Sequence, residues 1–191
     1  MYSQDMPILR EHGLASPAGL RDLCMFAILS ANQPFDHMDM IFGDWKREGA
    51  ASQFLTKHKR AGHVYLTENA ERIHHAMSHE YPSAEGVMWH LVQIPALGLV
   101  KGGFVCQMLG LNAACLDRQN VARVGLRLPR LNKKATVPTI ARKIDEYLAL
   151  CSEFTPERWW DDWCDWMTGE SFQTPDEVSE FHLKAMQLRR T

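Results

Sequence analysis

No stretch of this chain approaches the ~20 consecutive apolar residues that a membrane-spanning helix requires. No stretch alternates apolar and polar residues with the period of two that marks a half-buried strand. A helical membrane protein and a β-sandwich are therefore both excluded as expectations. Cysteine is sparse and unpatterned: Cys24, Cys106, Cys115, Cys151 and Cys164 are odd in number and scattered, which argues against a disulfide framework. The opening MYSQDMPILREHG lacks the basic and apolar blocks of a secretory leader. Together these absences lead to the expectation of reduced thiols in a cytosolic setting. Internal repeats, low-complexity tracts and flexible linkers are also missing. The Gly102-Gly103 pair does not have the spacing of a phosphate-binding loop.

What is present is a chain of 191 residues, 46% hydrophobic, enough for one compact domain or two small lobes around a shared core. The net charge is −2, but it is unevenly distributed. Residues 118–143 hold eight basic side chains (Arg118, Arg123, Arg127, Arg130, Lys133, Lys134, Arg142, Lys143) and no acidic one. Residues 153–180 hold nine acidic side chains against Arg158 alone. Such segregation can create a local positive field on a protein of negative total charge; two ordinary solvated faces would give the same pattern.

Helical periodicity runs through the N-terminal half. Leu20, Leu23, Cys24, Ala27 and Ile28 fall on one face of a helix that starts at Ser16-Pro17 and ends at Asn32-Gln33-Pro34. Further helices are expected over residues 35–45, stopped near Gly49, and over 52–59. A turn is expected at 62–65, then a helix from a Thr67 cap to about Ser78. Ser83 reads as the cap of the next helix, and Pro129, Pro138 and Pro156 punctuate the C-terminal half. The expected class is all-α.

The most informative segment is 84–109. A short helix over 84–91 is followed by Ile94-Pro95-Ala96-Leu97-Gly98 and a second helix over 99–109. Pro95 ends the first helix, Gly98 leaves the backbone unhindered, and the first amides of the second helix favour an anion such as a DNA phosphate. Lys101 lies in that first turn and is expected to add a counter-charge. Gly102-Gly103 would let the two helices approach closely. A Pro-x-x-Gly turn between helices also occurs in ordinary helical corners, so its context has to decide.

That context resembles the helix-hairpin-helix DNA glycosylase superfamily. IPALG is similar to that superfamily's Leu-Pro-Gly-Val-Gly hairpin. Leu116-Asp117-Arg118-Gln119 is similar to the Val-Asp-Thr-His motif that follows about twenty residues later. Upstream, CMFAILSANQPF resembles the early family helix ending in Leu-Ser-Ala-Gln. The resemblance covers roughly residues 20–125 and implies a two-lobed helical fold, one lobe over about 30–115 and the other from about 1–29 with 116–191. There are also departures. The lysine of lyase-type members falls at Val100 here, with Lys101 about 100° further round the helix. The four clustered cysteines of iron–sulfur members are absent, since only Cys151 and Cys164 occupy that region. The C-terminal ERWWDDWCDW is more similar to a branch of tailed phages that reuses the scaffold for thymine hypermodification, the amino acid:DNA transferases and putrescinyl-thymine pyrophosphorylases.

The resemblance implies double-stranded DNA carrying a modified thymine as partner, an amino acid or other amine as co-substrate, no cofactor or metal, no membrane, and the cytoplasm of a host bacterium. Asp117 is the implied catalytic carboxylate, and it is also a natural N-cap for a helix starting near Arg118. Asn32 and Gln33 correspond to residues that probe the duplex. Trp89, His90 and the tryptophans of 159–166 are candidates to stack on a flipped base, although aromatic side chains fill cores first. Trp45 and Trp166 are accordingly assigned to the core, and Trp89 is left open. Gly98, Lys101, Arg118, Gln119, Asn120 and Arg123 complete the expected DNA contacts. His75 and His79 are spaced to share a metal but have no third ligand, and Ser30 has no His–Asp partners. Three functions are consistent with this reading: base-hypermodifying transferase, DNA N-glycosylase, and non-catalytic DNA binder.

Overall fold

A computed structural model describes residues 2–132 and 134–189. Among them the chain is all-helical, with one isolated bridge between Thr168 and Phe172 and no strand. Ten α-helices follow in order: α1 (Met6–Ala15), α2 (Pro17–Leu29), α3 (Met38–Glu48), α4 (Lys57–His75), α5 (Ala84–Leu91), α6 (Leu99–Met108), α7 (Arg118–Val124), α8 (Val137–Cys151), α9 (Pro156–Met167) and α10 (Pro175–Ala185). None is long and apolar enough to cross a membrane.

The sequence starts these helices with caps and prolines. The hydroxyls of Ser16, Ser83, Thr155 and Thr174 each accept a first-turn amide, and Pro17, Pro138, Pro156 and Pro175 sit where a missing N–H does no harm. α2 is the central helix. Every residue from Leu23 to Leu29 is buried, because α1, α3, α4 and α6 surround it. α10 packs on α3, on α9 and on the 3-10 turn Tyr2–Asp5, while α5 bridges α6 and α8.

Two sequence expectations fail in one place. Residues 52–56 are not helical, and 62–65 are not a turn: α4 begins only at Lys57 and runs unbroken through both Gly62 and Thr67. Ser52 is fully buried and its hydroxyl donates to Asp44 Oδ2 (2.6 Å) while accepting from the Phe54 amide, so it fixes a local turn that competes with helix. Gly62 is a packing glycine. A Cβ there would lie 2.4 Å from the Pro95 carbonyl oxygen, so its role is to let α4 meet the α5–α6 turn. Thr67 is mid-helix and donates to the His63 carbonyl.

The α5–α6 connection consists of two successive tight turns, Ile94 N–H to Leu91 O and Leu97 N–H to Ile94 O, both 3.1 Å. Ala96 sits between Ile94 and Gly98 at φ +71°, and exposed Gly98 is the N-cap of α6. Gly102 faces Met88 and Leu91 of α5, as the sequence suggests. Gly103 does something else: a Cβ there would be 2.4 Å from the Ala114 carbonyl and 2.7 Å from the Tyr147 ring, so it admits the α6–α7 loop and α8.

Candidate active site

One wall of the site is the C-terminal end of α2, whose last carbonyls have no helical partners. Lys59 of α4, 8% exposed, donates from Nζ to Leu29 O (2.8 Å) and Ala31 O (3.1 Å). Burial, and then the positive charge of Lys101, hold the Lys59 ammonium below its ordinary pKa. Beyond this lock the chain turns sharply: Asn32 takes φ +57°, and Asn32 and Gln33 are exposed. Asparagine tolerates that left-handed conformation better than most residues.

The facing wall comes from α6 and the loop after it. Lys101 Nζ donates to Ser30 Oγ (3.0 Å) and stands 5.5 Å from the Phe104 ring centroid. The loop over 113–117 is held by buried polar groups. Gln107, 3% exposed, accepts from the Cys115 amide (3.0 Å) and donates to Pro156 O (2.9 Å). The fully buried Tyr147 hydroxyl accepts from the Leu116 amide (3.1 Å) and donates to Ala114 O (2.8 Å). Asn120 donates from Nδ2 to Cys115 O (2.7 Å). The result is a rigid mount for Asp117, whose Oδ1 accepts the Asn120 amide (3.0 Å) and caps α7.

The floor and remaining wall are aromatic. Trp159 is buried and donates to Cys151 O (2.8 Å). Trp160 is buried between Phe104 (6.4 Å, near-parallel) and His182 (4.8 Å, edge-on). Trp163 packs on Trp160 (5.5 Å) and on Phe35 (4.7 Å, edge-on).

These parts enclose a cleft of about 520 Å³ lined by Asn32, Gln33, Lys101, Asp117, Arg118, Asn120 and all four tryptophans of α9. Its size is that of a small-molecule site. The Cys115 thiol also lines it. Burial raises this thiol to about 12, with the Lys101 ammonium working against that rise and the Asp117 carboxylate adding to it, so its surroundings favour the neutral thiol.

The structure separates residues that the sequence grouped into one site. Trp89 and His90 line a separate cavity of about 410 Å³ with Tyr81 and Ile144, because α5 turns that face toward α8. Trp166 is not core but 38% exposed at the cleft. Asn120 is 4% exposed and secures the loop through Cys115. Lys101 reaches inward to Ser30 from the first turn of α6. Arg118 is exposed. The side chains of Gln119 and Arg123, and all of Lys133, lie outside the described residues.

Three residues that hold the site in place escaped the sequence reading: Lys59, Gln107 and Tyr147. Gln107 had a signal, as the polar residue in an otherwise apolar stretch (FVCQML); the other two are defined by partners 28 to 33 positions away. Among the described residues no group of His, Cys, Asp and Glu could hold a metal, and the five cysteines are free. His75 and His79 stack at 4.8 Å. No family model, curated protein or solved structure matches the chain.

Proposed function

We propose that this protein is a DNA base-hypermodifying transferase of the helix-hairpin-helix glycosylase type. It flips a thymine whose methyl group carries a pyrophosphate leaving group into the α2–α6–α9 cleft and joins it to an amine, an amino acid such as glycine. The observation that carries this reading is the convergence of Asp117, Lys101 and a tryptophan floor on one cleft with the exposed Asn32–Gln33 turn at its edge. Indole faces suit a base removed from the stack, and a polar turn suits the gap it leaves. The α5–α6 hairpin, with an exposed glycine before uncapped amides, suits a backbone phosphate.

The chemistry balances as a substitution. The amine nitrogen lone pair forms a bond to the exocyclic methylene carbon, and the carbon–oxygen bond to pyrophosphate breaks. Asp117 orients the amine and takes the proton it must lose. Lys101 and Arg118 stabilise the charge that builds on departing pyrophosphate. The glycosidic bond is untouched. The inward direction of Lys101 also favours a second reading, a glycosylase in which the same carboxylate supports cleavage of that bond.

Nucleoside mass spectrometry separates the two. DNA containing pyrophosphorylated 5-hydroxymethyluracil, incubated with the protein and glycine, should retain its bases, gain a glycyl adduct and release pyrophosphate. Asp117→Asn should slow this by 10²-fold or more, the typical contribution of a positioned base. Free base and abasic sites would replace the transferase by the glycosylase. Binding with no product of either kind would leave a non-catalytic DNA-binding protein.

A further inference from the structure

Asp36 lines the same cleft but has no part in the chemistry above. It lies in the 3-10 turn Phe35–His37 and is half-buried. Its Oδ1 is shielded from solvent and has no hydrogen-bond partner. A carboxylate oxygen that loses hydration without gaining a donor is an unfavourable arrangement that a positive partner would relieve. The preceding residue, Phe35, packs edge-on against Trp163 at 4.7 Å. Asp36 therefore belongs to the end of the cleft built from the last turns of α9, where Trp163, Trp166 and Glu170 also line the opening.

We propose that this end of the cleft is a subsite for an organic ammonium ion, with Asp36 as counter-ion, Glu170 at the rim and the indoles of Trp163 and Trp166 as walls. Carboxylates select a cation. Indole faces attract it through the ring quadrupole and give its alkyl groups apolar contact, an advantage that a hydrated metal ion does not share. The described residues also lack any cluster of three metal-ligating side chains. The cleft lysine does not occupy the place, because its ammonium is engaged on Ser30 and over Phe104. The subsite rests on the transferase reading for its biological use, since it would hold the amine as its ammonium ion before Asp117 takes the proton, but its binding can be tested without DNA.

Intrinsic tryptophan fluorescence of the full chain is titrated with n-butylammonium chloride, with n-butanol as neutral isostere and magnesium chloride as metal probe, at matched ionic strength. The expected result is saturable binding of n-butylammonium at least tenfold tighter than n-butanol, with no response to magnesium. Asp36→Asn should weaken n-butylammonium at least tenfold. Trp166→Ala changes an exposed ring, leaves the fold intact, and should weaken it several-fold. Equal binding of amine and alcohol, affinities unchanged in both variants, or magnesium binding that depends on Asp36 would each overturn the subsite. Ammonium binding as expected, with DNA left unmodified, would keep the subsite and remove the transfer. Glycyl adducts formed by Asp36→Asn at the wild-type KM for glycine would remove the subsite and keep the transfer.

Discussion

Ala96 is an alanine in a glycine's conformation. Its φ of +71° lies in the left-handed region, which is uncomfortable for any residue with a Cβ, and it stands where the Leu-Pro-Gly-Val-Gly pattern has its first glycine. Ala96→Gly should therefore raise stability by about 0.5–1 kcal/mol, the relief of strain exceeding the extra freedom gained by the unfolded chain. In a protein of this size that is roughly 1–4 °C in Tm, readable by calorimetry; a lower Tm would show that the methyl contact outweighs the strain. The other two left-handed non-glycine residues among the described residues differ in kind. Asn32 is a residue type that tolerates this region, and Gln187 follows the end of α10, where a left-handed residue commonly stops a helix.

Glycines decide how the elements meet, and they also mark where the sequence was legible. Gly62 and Gly43 are both interior to helices, yet they predict opposite effects. A Cβ at Gly43 would meet nothing closer than 3.6 Å, whereas one at Gly62 would meet the Pro95 carbonyl at 2.4 Å. Gly43→Ala should stabilise by about 0.5–1 kcal/mol through helix propensity alone. Gly62→Ala should destabilise by about 1–3 kcal/mol, because it pushes α4 away from the α5–α6 turn; urea denaturation of the two variants checks the contrast. From sequence, Gly62 resembled a turn, because propensity reads a glycine locally while its reason lies 33 positions away. The helix at α2 was legible from its periodicity, and the tight α5–α6 connection from Pro95 and Gly98. So were the Asn32–Gln33 turn and the role of Asp117 as the cap of the helix starting at Arg118. The sequence did not settle where Trp89, His90 and Trp166 lie for one reason: hydrophobic spacing says that a helix has an apolar face but not which neighbour that face meets. The tryptophans of 159–166, which the sequence offered as stacking candidates, do line the cleft, and the packing of α10 and the Tyr2–Asp5 turn against α9 holds them there.

At the scale of the whole molecule, charge sets two further expectations. His182 is fully buried among Phe26, Phe35, Phe104 and Trp160, with neither ring nitrogen hydrogen-bonded; burial lowers it to about 3. The unfolded chain takes up this proton near the ordinary value of about 6.5, so stability is complete above that pH and declines as pH falls toward 3. Asp22 acts lower. Burial opposes its charge, but hydrogen bonds with His12 (3.2 Å) and Lys46 (2.9 Å) outweigh it and hold the carboxyl below its usual range, so its contribution is full above about 4 and lost as pH falls through the folded value. His182→Leu should flatten the Tm profile between about pH 6.5 and 4, and an unchanged slope there would assign the acid sensitivity to other groups. The second expectation concerns the basic segment and the proposed DNA partner. The sequence's run of cations is partly neutralised in the fold, since Arg142 and Lys143 both pair with Glu146. Arg127, Arg130 and Lys134 are exposed outside that triplet. Phosphate contacts reveal themselves through counterion release, at a slope of about 0.9 per contact in log K against log salt. Arg127→Ala with Arg130→Ala should thus reduce the slope measured by fluorescence anisotropy on a duplex by up to roughly 1.8, whereas Arg142→Ala should leave it unchanged. A slope unaffected by the double variant would move the phosphate-binding face away from this segment and back to the α5–α6 hairpin, where the first-turn amides of α6 would have to supply it without a run of side-chain cations.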